Sequence, residues 1–119
     1  MTARECVKLS RNAGREFQRV INQFVDDFRR ATAPERAAMV GPPIESAGAL
    51  EGLVAAVVSA LCRESATEPP PWVDHVASPE PFFPFPSGSF EMRLRLMIES
   101  PPAFRIRRVF VPENYLSRA

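Results

Sequence analysis

Seven of this chain's thirteen prolines stand at positions 69, 70, 71, 79, 81, 84 and 86. Proline has no backbone N–H to give to a helix or a central strand, so regular structure is excluded from that stretch. Helices must be sought before residue 65 and after residue 88. The stretch is nevertheless too apolar to be a solvated linker, because it carries Trp72, Val73, Val76, Phe82, Phe83 and Phe85. The expectation is an ordered, meandering segment that lays aromatic side chains over a helical core.

The clearest helical signal is the stripe Phe17, Val20, Ile21, Phe24, Val25 and Phe28, with Glu16, Arg19, Asn22, Gln23, Asp26 and Arg30 opposite. Traced back through Ala13, Leu9 and Cys6, it reaches Thr2-Ala3-Arg4-Glu5, a capping-box spacing. One long helix over 3–31 is expected, continuous or slightly bent at Gly14, since an interior glycine costs only about 1 kcal/mol. The same stripe would also suit a pairing seam, giving a homodimer through Phe17, Phe24 and Phe28. Thr32-Ala33-Pro34-Glu35 repeats the capping spacing and starts a short helix to about Val40, stopped by Gly41-Pro42-Pro43. From about Ala47 to Arg63 the chain is apolar all round, as a central helix would be. After the prolines, Ser87-Gly88-Ser89 introduces a helix over Phe90 to Glu99, although Met92, Leu94, Leu96 and Ile98 alternate in a partly strand-like way. Pro101-Pro102 ends it. A turn around Ala103 to Arg107, an extended 109–111 and a last turn from Pro112 to Arg118 would complete the chain. The fold class read from this pattern is all-α: a single small helical domain over 1–119, with the proline-aromatic segment and a C-terminal helix wrapping two main helices.

At 119 residues no second core is required. Fifteen Lys plus Arg against fourteen Asp plus Glu leave a net charge of +1, without the basic excess that drives phosphate-backbone binding. The middle, 32–88, is acidic, with two basic residues against seven acidic, and both ends are mildly basic. Fourteen of the fifteen basic residues are arginine, which suits bidentate contact with carboxylates, a bias that an arginine-rich genome also produces. Cys6 and Cys62, far apart, form neither a zinc spacing nor a disulfide framework, so a reducing cytoplasm is the expected setting. No signal peptide is legible in Met1-Thr2-Ala3-Arg4-Glu5. The apolar run 52–62 is far shorter than the roughly 20 residues a bilayer demands.

Candidate chemistry is sparse. His75 beside Asp74 is the one acid–base pair, but neighbours in sequence rarely face each other and no nucleophile is placed by a motif, which leaves a small hydrolase as the least favoured class. A single histidine with scattered carboxylates predicts no metal site, and no phosphate-binding loop or cofactor motif is present. Pro81-Phe82-Phe83-Pro84 has a PxxP spacing, although its phenylalanines suit the chain's own core better than an SH3-like groove. Phe104, Arg105, Arg107 and Arg108 form the candidate partner-binding site, an arginine patch for an acidic protein surface.

Ala-Leu-Cys-Arg-Glu at 60–64, Pro-Pro-Pro-Trp-Val at 69–73, the aromatics at 82–85, Glu-Ser-Pro-Pro-Ala-Phe-Arg at 99–105 and Val-Phe-Val at 109–111 resemble a region of uncharacterised bacterial proteins. In that family the region often follows a helix-turn-helix domain, and the genes tend to lie beside nucleotidyltransferase-like genes in toxin–antitoxin-like arrangements. The resemblance covers 47–119. The N-terminal helical arm, 1–46, departs from the longer relatives in having no DNA-reading pattern. The resemblance implies a non-catalytic protein-binding module, antitoxin-like, whose partner is a nucleotidyltransferase-type toxin. A nucleic-acid-associated regulatory accessory protein is the runner-up.

Overall fold

Gly14 divides the expected long helix in two. In the computed structural model, which describes residues 1–85 and 89–117, α1 spans Ala3–Ala13 and α2 spans Phe17–Arg30, joined by a 3-10 turn over Gly14–Glu16. Gly14 sits at φ 57°, ψ −122°, with its N–H donating to the carbonyl of Arg11. A left-handed φ is readily adopted only by glycine, so the chain turns there instead of continuing. The two helices fold back on each other, and their apolar faces, Cys6 and Val7 against Ile21, Phe24 and Val25, belong to one core.

α3, Ala33–Val40, begins where expected. Thr32 and Glu35 form a full capping box, as Thr2 and Glu5 do for α1. α4, Ala49–Glu64, is the central helix, buried without a break from Glu51 to Ser59 and again at Leu61 and Cys62. It is covered by α1, α2, a 3-10 turn over Pro71–His75 and the short α6, Pro102–Arg105. Phe24 and Phe28 are buried in this core, and Phe17 packs its ring 6.2 Å from that of Phe82. Phe24 and Phe28 are thus turned into the monomer's own core and Phe17 is half-buried, so nothing in the fold supports a homodimer seam through these three residues.

The proline-rich segment is ordered against the helices. Trp72 is half-buried and its Nε1 donates to the carbonyl of Val40 at 2.8 Å. Phe82 forms an isolated parallel bridge with Val109, and Phe83 stacks 5.3 Å from Phe110. At Gly52 the backbone of this segment comes so close to α4 that an added Cβ would lie 2.5 Å from the Ser78 nitrogen. α5 spans Phe90–Glu99, with Ser89 as its N-cap. Of the expected flanking features, Pro86, Ser87, Gly88, Arg118 and Ala119 lie outside the described residues. No helix among the described residues is long and apolar enough to cross a membrane.

Candidate protein-docking face

The four residues expected to form a surface patch are divided by the fold. Phe104 is fully buried, its ring edge-on to Tyr115 at 5.5 Å, and Arg107 is 3% exposed. The reason is helical phase: Ala103, Phe104 and Arg107 fall on one side of α6 and its following turn, and that side meets α4. Arg107 is a backbone clamp. Its Nε and Nη2 donate to the Val73 carbonyl at 3.1 and 3.0 Å and its Nη1 donates to that of Ala103 at 2.7 Å, tying the 3-10 turn to α6. Burial pulls its pKa below the usual guanidinium value, opposed by Asp74, whose carboxylate lies 3.8 Å away. Charge reversal at Arg107, harmless on a surface, would place an acid against two carbonyls.

Arg105 and Arg108 are exposed. Arg108 has φ 60° and closes a Schellman motif: its N–H donates to Arg105 and that of Val109 to Phe104. Its Nη1 donates to the Pro79 carbonyl at 2.9 Å, so this arginine too holds the proline-rich segment. Ser100 completes the Ser-Pro-Pro-Ala-Phe-Arg string as a buried latch. Its Oγ donates toward the carbonyls of Leu96 and Val111 at 2.5 and 3.0 Å, and accepts from the Val111 N–H at 2.8 Å. Three of the six residues of this distinctive string, Ser100, Ala103 and Phe104, are buried in the interior.

Most of the exposed large apolar side chains among the described residues lie on α5, although Ile106 beside Arg105 is 70% exposed and Met92, on the Leu96 side of α5, is 46% exposed. Leu96 is its buried residue, fixing the inward direction. At 3.6 residues per turn, Leu94 and Ile98 project about 160° to either side of Leu96. Phe90 and Met97 fall next to Leu94, so the four share a stripe about 100° wide that faces away from the core. Phe90 is 79% exposed, Ile98 67%, Leu94 47% and Met97 40%. Contiguous exposed apolar side chains of this size mark interaction surfaces. Beside the stripe runs a furrow of about 340 Å³ lined by Glu91, Leu94, Arg95, Ile98 and Glu99. Composition alone did not expose this face; a helical wheel centred on Leu96 would have.

Other features offer less. A cleft of about 410 Å³ between α1 and the 44–46 loop is lined by Arg4, Lys8 and Arg11, but Arg11 is committed to the buried Glu51 at 2.7 Å and Arg4 to Glu45 at 3.8 Å. His75 and Asp74 are exposed on their 3-10 turn. Cys6 is buried and its thiol is pushed up to about 12, chiefly by burial, which leaves it a small hydrophobe. Burial likewise raises Cys62. Among the described residues no group of three or more His, Cys, Asp or Glu could hold a metal ion. No family model, no curated protein and no solved structure matches the chain.

Proposed function

We propose that this chain is a non-catalytic protein-binding module whose docking element is α5. The observation that carries the reading is the stripe of Phe90, Leu94, Met97 and Ile98, presented outward from a helix that contributes Leu96 alone to the buried interior. An amphipathic helix gains stability by burying its apolar face, and here that face is turned away from the chain's own core. The resemblance over 47–119 makes a nucleotidyltransferase-type toxin the first heterologous partner to try. Of the C-terminal trio, Arg105 and the part of Arg108 not engaged with the Pro79 carbonyl are exposed to meet an acidic surface.

The test is site-specific crosslinking in the native host, with a photoreactive phenylalanine analogue replacing Ile98. A polypeptide adduct is expected, lost when Leu94→Glu is added. The absence of any polypeptide adduct at position 98, in a chain whose far-ultraviolet circular dichroism matches the wild type, overturns the reading.

A further inference from the structure

We propose that the α5 face is covered by a second copy of this chain, its helix reversed across a two-fold axis; the inference rests on the docking reading above. The face fits itself in shape. Residues four apart on a helix form ridges, and interlocking such ridges is the commonest way helices pack. On α5, Phe90, Leu94 and Ile98 make one ridge, Glu91, Arg95 and Glu99 make the next, and the furrow lies between them. One surface thus carries both a ridge and a groove to receive it. A two-fold contact needs this, because the same patch must serve both copies.

The charges then select the register. Ridge residues recur every about 6 Å, four residues at the helical rise. A reversed copy interlocks wherever its ridge side chains fall midway between two of these, and several offsets one ridge repeat apart satisfy that. At one of them Arg95 faces the partner's Arg95, and Glu91 faces the partner's Glu99, which like-charge repulsion disfavours. One repeat in either direction places Arg95 against the partner's Glu91 or the partner's Glu99, and symmetry makes each such pair twice. The row alternates acid, base, acid, so neither a uniformly acidic nor a uniformly basic surface matches it. A reversed copy of itself does. A contact made chiefly by one ten-residue helix falls at the small end of specific interfaces, so the dimer is weak and concentration-dependent.

Sedimentation equilibrium of the full chain tests this across about 1 to about 500 μM, the range suited to a small interface. The mean mass is expected to rise from that of the 13.3 kDa chain toward twice that value. Arg95→Glu makes the row wholly acidic, and Glu91→Arg with Glu99→Arg makes it wholly basic. Each variant alone is expected to weaken association by at least about tenfold, and a one-to-one mixture to restore it. The altered side chains are exposed, and circular dichroism checks that each variant is folded. A monomer mass throughout, a dimer indifferent to Arg95→Glu, or a mixture that stays monomeric overturns the proposal. If the chain stays monomeric while the crosslinker at 98 captures a different protein, the docking reading stands and this inference falls. If it captures nothing, both fall.

Discussion

Replacing Arg107 with methionine separates a structural arginine from a surface one. The substitution keeps a long, flexible side chain of similar reach and removes three donated hydrogen bonds, two to Val73 and one to Ala103. Both carbonyls would be left in a buried setting without that partner, at about 1–3 kcal/mol each. The loss of a charge-assisted bond places the total toward the middle of the resulting range, about 3 to 4 kcal/mol. Against a typical total of 5–15 kcal/mol this is a large fraction, and for a chain of this length it lowers the midpoint of thermal unfolding by roughly 10–15 °C. The assay is urea unfolding followed by the fluorescence of Trp72, the single tryptophan, which adjoins the Val73 carbonyl that Arg107 holds. The midpoint should fall with an unchanged slope, while Arg105→Met, on the surface, should stay within about 0.5 kcal/mol of wild type. Equal stabilities for the two variants would refute the clamp.

Three further outcomes follow from the packing. Gly52→Ala sets a methyl group against the Ala77–Ser78 backbone, which cannot give as a side-chain end would, and should cost about 1–3 kcal/mol by chemical denaturation. Ala66 occupies a Schellman position at φ 55° after α4, with Thr67 donating to Cys62 and Ala66 to Arg63, so Ala66→Gly should stabilise the chain by about 0.5–1 kcal/mol in the same assay. At Glu51, 2% exposed, burial works to raise the pKa, but the Arg11 guanidinium, the backbone and the Ser46 hydroxyl outweigh it and hold the carboxyl below its usual value. A depressed pKa contributes stability that is complete above the unfolded value and is lost as pH falls through the folded one, so the advantage of wild type over Glu51→Gln should shrink in acid denaturation below about pH 4.5.

The helices were legible because their signals are local. The capping boxes at Thr2 and Thr32 and the all-round apolarity of α4 specify those elements without any knowledge of their neighbours. Helix propensity alone does not reveal the break at Gly14, because the turn depends on this residue's access to positive φ. The buried positions of α1, Ala3, Cys6, Val7 and Ser10, stand eighteen residues, or five full turns, before Ile21, Phe24, Val25 and Phe28 of α2, so the apolar face runs in phase across Gly14 and its pattern gives no sign of the break. Adjacency in sequence groups the three arginines, yet Arg107 stands three residues after Phe104 and one helical turn sets both inward, leaving Arg105 and Arg108 outside.

α5 shows why the one ambiguous segment was ambiguous. Its alternation of Leu94, Leu96 and Ile98 looks like a strand with one buried face, but a strand there would need backbone partners along its length. The segment instead starts from the Ser89 cap, whose hydroxyl accepts from Met92, and ends on the Ser100 latch. Wound as a helix, those three residues can no longer share a face. Leu96 turns inward and the other two outward, and the residues between them sort by phase, Met97 joining the outward stripe and Arg95 the charged row. The period-two pattern is therefore what remains in sequence when a helix carries apolar residues on opposite sides, one fixed to its own domain and one free to meet another surface. The charged row beside the outward stripe has the same four-residue spacing as the stripe's ridge, so any partner helix that interlocks with the apolar residues is also brought to a fixed offset against Glu91, Arg95 and Glu99. On the proposed docking reading, shape and charge on α5 would be read together, and a change in the sign of Arg95 is expected to alter which partner fits without altering the helix that presents it.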